Sequence, residues 1–333
     1  ISLRRARAGI CMSQAVHTSL ALTLVNHART QVLCVIAPSE SEAYKLETEC
    51  RFFADSSAPI LHLPNSETLP YDHFSPHPDV VSQRLAVLYQ LPRLKHGLVI
   101  LSPNTLLTRL PPSVWLEAHS LLVKVGDVLQ LESWRQRLVD AGYAQVAEVR
   151  VAGEFAVRGA LIDLFPVGGD GNAYRLELFD NEVETIRRFD PETQRSIDKI
   201  DAVRLLPARE FPSDNVSLKA FRERYRERFA DKDLSRSQTL KTISKGTLPG
   251  GIEYWLPLFF DAGKTAGVWD YLPSGAVICV SSPLPRGEGD AITLALNAAW
   301  QSLQIRYEQL RGDVERPLLP PAEACWDVAT VVE

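Results

Sequence analysis

Short apolar runs, each followed by a longer stretch with helical spacing, open the chain. Val32-Leu33-Cys34-Val35-Ile36-Ala37, Ile60-Leu61-His62-Leu63 and Leu98-Val99-Ile100-Leu101 are apolar almost throughout, as strands buried on both faces are. Helical periodicity predicts helices over 13–28, 39–55 and 80–91 around them. Strand and helix in alternation point to a parallel sheet covered on both faces. Residues 1–120 are therefore expected to form a three-layer α/β domain of the RecA or P-loop type.

The pattern changes near Leu121. Leu121-Leu122-Val123-Lys124-Val125 opens a segment with a short helix over 132–141, after which apolar residues alternate at period two. One strand is expected from Phe155 to Phe165, a second from Tyr174 to Phe179 and a third from Val183 to Phe189. Asp180-Asn181-Glu182 and Asp190-Pro191-Glu192-Thr193 read as the turns. Residues 121–208 thus predict a small α+β domain inserted after the first. From 209 to 333 the helical pattern returns. Residues 214–232 form a charged helix whose arginines and glutamates read as a solvated face. Trp255-Leu256-Pro257-Leu258-Phe259-Phe260 and Ala276-Val277-Ile278-Cys279-Val280 look like strand-like core pieces. This last part is expected to hold a further α/β or mostly helical domain and a return to the first.

Length fits that division: 333 residues at ~150 per domain make two or three domains. The 22 prolines imply stiff turns and interrupted helices. Cys11, Cys34, Cys50, Cys279 and Cys325 are odd in number and lack C-x-x-C spacing, the usage of a reducing cytosol without disulfides or zinc. The basic start at Arg4, Arg5 and Arg7 precedes a stretch too polar for a signal peptide, and no run is long enough to span a membrane. A cytoplasmic location is expected. A first residue other than methionine, and a tail with no terminating element, read as a piece of a larger protein. The formal charge of −5 lowers the expectation of free-standing nucleic-acid binding, which draws on neutralised phosphates.

Candidate chemistry is sparse. A phosphate-binding loop needs glycines for close backbone approach and a lysine for charge. Ahead of the first helix, Gly9 is followed by Gln14, Ala15 and Val16 where the lysine would stand, so this P-loop position is degenerate. Gly263-Lys264-Thr265 is a partial match, but Leu258 replaces the first glycine and a surface loop is the better reading. His73 and His77 have metal-ligand spacing on a helix, which Pro76 and Pro78 oppose. Asp198 and Asp201 read as a solvated turn. No catalytic constellation, cofactor site or metal site is expected.

The surface that stands out lies in the hairpin region. In Tyr174-Arg175-Leu176-Glu177-Leu178-Phe179, alternation puts Tyr174, Leu176 and Leu178 on a core face, with Arg175, Glu177 and Phe179 opposite. Arg158 joins them if its strand pairs with theirs. Arginine and aromatic residues are frequent interface anchors. The residues alone leave open whether Phe179 caps a sheet edge beside ordinary ion pairs or belongs to an interface.

The same segments carry a resemblance. Arg158-Gly159-Ala160-Leu161-Ile162-Asp163-Leu164-Phe165-Pro166, Tyr174 to Asp180, and Ile186-Arg187-Arg188-Phe189-Asp190-Pro191 resemble domain 2 of excinuclease B. They are still more similar to the matching domain of the bacterial transcription-repair coupling factors. Glu67-Thr68-Leu69-Pro70-Tyr71-Asp72, Ser82-Gln83-Arg84-Leu85 and Lys245-Gly246-Thr247-Leu248-Pro249-Gly250-Gly251-Ile252-Glu253-Tyr254-Trp255 point to the latter, over most of the chain from residue 10.

The resemblance implies a module like excinuclease B domains 1a, 2 and 1b with its nucleotide motifs lost, in which domain 2 docks the excinuclease A subunit. Family interface positions match Arg158, Arg175 and Phe179; Glu177 is added from its predicted face. It also implies masking of that surface by a C-terminal domain of the same protein. RNA polymerase and DNA would be engaged only through domains beyond residue 333, where ATP-driven translocation would also reside. The DNA-clamping aromatic hairpin of excinuclease B has no counterpart between Tyr71 and Arg84. The contrasting expectation is an ATP-dependent helicase or excinuclease-type subunit that retains nucleotide and DNA binding.

Overall fold

A computed structural model describes residues 17–55, 58–169, 171–261, 264–280 and 291–332. The strands, in chain order, are β1 (Val32–Ile36), β2 (Ile60–His62), β3 (Gly97–Leu101), β4 (Leu121–Lys124), β5 (Ala144–Gln145), β6 (Glu154–Arg158) and β7 (Leu161–Leu164). They continue with β8 (Ala173–Phe179), β9 (Glu182–Phe189), β10 (Ser196–Ile200), β11 (Ala202–Leu205) and β12 (Val277–Val280). The protein is a mixed α/β protein whose described residues form one parallel and two antiparallel or mostly antiparallel sheets. Its residues fall into two compact units, one of 1–75, 87–110 and 229–333, the other of 76–86 and 111–228.

The first unit holds the parallel sheet, in the order β12-β1-β3-β2. Both β1 and β3 are buried at every residue, which is why their sequences show no polar alternation. The helices His17–Ala28 and Glu40–Phe53 bury Leu24, Val25, Ala43 and Leu46 against Leu33, Val35, Leu98 and Ile100. Ser39 caps the second helix by accepting from the Glu42 N–H at 3.3 Å, leaving Glu40 and Glu42 in the first turn, where the helix dipole favours acids. Ala276–Val280, expected as a core piece, supplies β12 beside β1 in parallel register. Trp255–Phe260, expected as a core piece, is buried at Trp255, Leu256, Phe259 and Phe260, but its strand-like run Leu256–Phe260 begins in a 3₁₀ segment, Ile252–Leu258, with Pro257 inside it. A proline cannot donate to a ladder, and Trp255 is fully buried with its indole N–H on the Pro317 carbonyl at 3.0 Å.

The second unit is built on a six-stranded sheet ordered β10-β9-β8-β7-β6-β5, with β4 and β11 as a separate antiparallel pair. The single strand expected from Phe155 to Phe165 is two strands of a hairpin, β6 and β7, joined at Gly159-Ala160. Gly159 has φ +60, the first-position requirement of a two-residue type II′ loop. The next hairpin closes through Asp180 (φ +48) and Asn181 (φ +69), both left-handed as a type I′ loop demands. A bulge between Glu177 and Leu178 resets the β8–β9 register just before it.

Candidate functional site

One face of the six-stranded sheet gathers the residues singled out from sequence. Arg175, Glu177 and Phe179 alternate on β8, and their opposite numbers on β7 are Asp163 for Arg175 and Leu161 for Glu177. Arg158 reaches this face, but not by pairing with β8: β7 lies between them, with Arg158 opposite Leu161 and Ala156 opposite Asp163. What joins the two arginines is the Asp163 carboxylate.

Asp163 is only 2% exposed. Its Oδ1 accepts from Arg175 Nε at 2.6 Å, while its Oδ2 accepts from Arg175 Nη2 at 2.9 Å and Arg158 Nη2 at 3.0 Å. The Arg175 pair is bidentate, the geometry in which a guanidinium meets a carboxylate most strongly. Hydrogen bonding to Asp163 holds the Arg175 guanidinium above its ordinary pKa, against the opposing effect of burial. Arg175 also lies 4.9 Å over the Phe189 ring, which belongs to a small apolar cluster with Val149, Ala156 and Ala173. Its side chain is 18% exposed, against 48% for Arg158. Arg175 is thus a pinned cation and Arg158 a more available one.

Glu177 is occupied locally. Its Oε2 accepts from Thr185 Oγ1 at 2.6 Å, and its Oε1 stands 3.5 Å from Arg187 Nε. Phe179 behaves oppositely: it ends β8 at the mouth of the type I′ loop and is 68% exposed. Its partner across the loop is Glu182, which in turn bridges Val128, itself 67% exposed. The chain around Val128 is fixed beside β9 by Gly126 N–H to Val183 O at 2.8 Å and Leu129 N–H to Asn181 O at 2.7 Å. The hairpin tip therefore presents Phe179, Glu182 and Val128 in one cross-strand row. Val128 and Asp163 were missed in the sequence. Asp163 had a signal, being an acid inside an otherwise apolar run, but Val128 sits in a loop with none.

The other candidates disperse. Gly9, Gln14, Ala15 and Val16 of the degenerate P-loop position, and Cys11, lie outside the described residues, as does Gly263. Lys264 is exposed and pairs with Asp261 at 2.9 Å. His73 and His77 lie outside any helix, and no group of three potential metal ligands occurs among the described residues. Asp198 sits on β10 rather than in a turn, 3.6 Å from Arg188. Cys34, Cys50 and Cys279 are buried free thiols, and burial pushes the Cys50 thiol up to about 12, the behaviour of core hydrophobes rather than nucleophiles. No helix of the described residues is long and apolar enough to cross a membrane.

Within the sheet unit, residues 121–211 match the family described as the UvrB interaction domain. Over nearly its whole length the chain is also 40% identical to the transcription-repair-coupling factor of Escherichia coli K12, across 300 residues and 90% of the chain. The corresponding factor of Haemophilus influenzae is 40% identical over 92% of the chain, and that of Myxococcus xanthus 33% over 89%. The chain belongs to the transcription-repair-coupling factor family, as an N-terminal module carrying the UvrB interaction domain. It spans about a quarter of the length of these relatives.

Proposed function

We propose that this module is a non-catalytic adaptor of transcription-coupled repair, which recruits the excinuclease A subunit through the face of residues 121–208. The observation that carries the reading is the exposed Phe179 at the end of a strand that also holds Arg175, beside Arg158. An exposed aromatic that ends a strand whose same face carries Arg175 and Glu177 is the kind of residue that anchors an interface. Phe179 fills an apolar recess of the partner, and Arg158 meets a partner carboxylate. Arg175 is the fixed cation behind them, and Glu177 orders its neighbours.

In the same reading the parallel sheet is a RecA-type domain, residues 1–120, whose nucleotide loop has degenerated, and residues 209–333 return to it. Polymerase engagement, DNA translocation and masking of the docking face belong to other domains of the whole factor, in the cytoplasm. Because excinuclease B offers the same kind of domain, the two would compete for the A subunit and hand over at the lesion.

Calorimetric titration of the chain with purified excinuclease A subunit tests the reading. Phe179→Ala is expected to weaken binding by about 2 kcal/mol or more while leaving the chain folded. A folded wild-type chain that does not bind sinks it; binding untouched by Phe179→Ala moves the surface elsewhere.

A further inference from the structure

The docking face continues beyond its anchors into a row of cations. Reading across the sheet in register, Arg175 stands opposite Arg187, and Arg187 opposite Lys199. Like charges placed directly opposite on neighbouring strands repel, so each cation of the row calls for a compensating acid. The charges are compensated unevenly along the row. Arg175 has a buried carboxylate in bidentate contact. Among the described residues Arg187 has only Glu177 as an ion-pair partner, at 3.5 Å, and its Nε is buried without a hydrogen bond. Lys199, exposed on the edge strand β10, makes no ion pair among the described residues. Compensation thus fades from the middle of the sheet to its edge.

We infer that Arg187 and Lys199 are a second electrostatic docking element, which receives an acidic strip of the protein partner whose carboxylates lie across the strands. The inference rests on the adaptor reading and extends it by naming the partner's chemistry. Strands lie roughly 4.8 Å apart, so carboxylates some 5–10 Å apart on the partner match the row. Protein carboxylates fit this face better than a phosphate backbone. Asp163, Glu177 and Glu182 are interleaved on it, and Phe179 and Val128 end it in apolar surface. A lysine on an edge strand also discourages strand-to-strand aggregation, but that duty is indifferent to the sign of the charge, which gives the test its handle.

Association of the chain with excinuclease A subunit is followed by stopped flow at low and high salt, for wild type, Lys199→Glu, Arg187→Gln and Phe179→Ala, with thermal unfolding as the check on folding. Lys199→Glu keeps a charge on the edge and reverses its sign. It is expected to slow association about fivefold at low salt, with the difference shrinking at high salt, the signature of steering by peripheral charge. Arg187→Gln is expected to act in the same direction. If Lys199→Glu and Arg187→Gln associate like wild type while Phe179→Ala loses binding, the cation row is overturned and the adaptor reading stands. If the folded wild-type chain does not bind, both fall. If the row instead gives salt-sensitive binding to duplex DNA that Lys199→Glu abolishes, the assignment to protein carboxylates is overturned.

Discussion

Arg175 and Asp163 face each other directly across β8 and β7, with two guanidinium nitrogens 2.6 and 2.9 Å from the two carboxylate oxygens. The pair joins stability to binding. Asp163 is buried, so deleting Arg175 leaves its carboxylate with Oδ1 unpaired and Arg158 alone on Oδ2, which costs far more than an exposed ion pair is worth. Arg175→Ala is therefore expected to lower stability by about 3 kcal/mol, seen as a reduced urea midpoint with an unchanged slope. A binding loss in that variant would mix unfolding with a missing contact. Arg175→Lys keeps the charge without the bidentate fork and is expected to lie between. An Arg175→Ala midpoint equal to wild type would mean that Arg158 alone satisfies Asp163.

Phe179 separates the two effects. It is mostly solvent-exposed and ends its strand, so Phe179→Ala is expected to shift stability by no more than about 0.5 kcal/mol. Its neighbour across the tip row gives a matching case: Val128→Asp adds a carboxylate beside Glu182 on the same row without opening the core. Both variants are expected to unfold like wild type in denaturant and to bind excinuclease A subunit at least tenfold more weakly, in line with loss of an anchor. Full-strength binding by Val128→Asp would confine the contact to Phe179 and the arginines.

The face was legible because strand alternation is a local signal. Arg175, Glu177 and Phe179 fall on one side whatever the strand's neighbours are, and β8 shows them there. What joins them was not legible, because it depends on pairing. Asp163 acquires its role only once Gly159 folds the run from Phe155 to Phe165 back on itself; read as one strand, the run places Asp163 nowhere near Arg158. The all-apolar β1 and β3 were evident for the same local reason. The partnership of β12 with β1 was not, since some 240 residues of chain separate the strands and no periodicity encodes it. Leu256–Phe260 looks strand-like although its first part is 3₁₀, because buried 3₁₀ turns and short buried strands are alike in apolar content.

The motif at Lys245–Trp255, which helped to identify the family, is explained by packing rather than by binding. Gly251 has φ +68, and a Cβ there would run into the Asp72 carbonyl oxygen and the Arg316 guanidinium. That guanidinium is the centre of the contact: Nη1 donates to Tyr71 O at 2.7 Å, and Nη2 to Asp72 O at 2.6 Å and Gly251 O at 3.2 Å. It lies 4.9 Å over the Trp255 ring. Gly251→Ala meets both strain and a clash against backbone, so a loss of about 2–3 kcal/mol is expected. Excinuclease A binding by the folded fraction should be unchanged. A near-neutral unfolding midpoint would show that the Tyr71–Asp72 segment yields to the added methyl group.

His62 gives the fold a pH dependence of calculable sign. It ends β2 fully buried, with Nδ1 2.7 Å from Glu47 Oε2 and Nε2 3.5 Å from Glu40 Oε1, and the Tyr44 ring packs edge-on against it at 4.5 Å. Burial pushes the imidazole pKa down, but the bonds to Glu40 and Glu47 outweigh it and raise it to about 9 from an ordinary 6.5. Burial likewise raises the two carboxylates, while their bonds to His62 bring both below their usual value. A raised imidazole binds its proton more tightly folded than unfolded, so its stabilisation is complete below pH 6.5 and is lost as pH rises through 9. The carboxylates contribute in the opposite sense, and their share fades only in acid. Between neutrality and pH 9 the protein is therefore expected to lose stability on the order of 2 kcal/mol, read as a falling urea midpoint. His62→Gln removes the titrating group, so its midpoint should start lower and stay nearly flat over that range. Equal slopes for the two proteins would mean that His62 is neutral in the fold and that Glu40 and Glu47 draw their stabilisation from Asn65 and Arg51 instead.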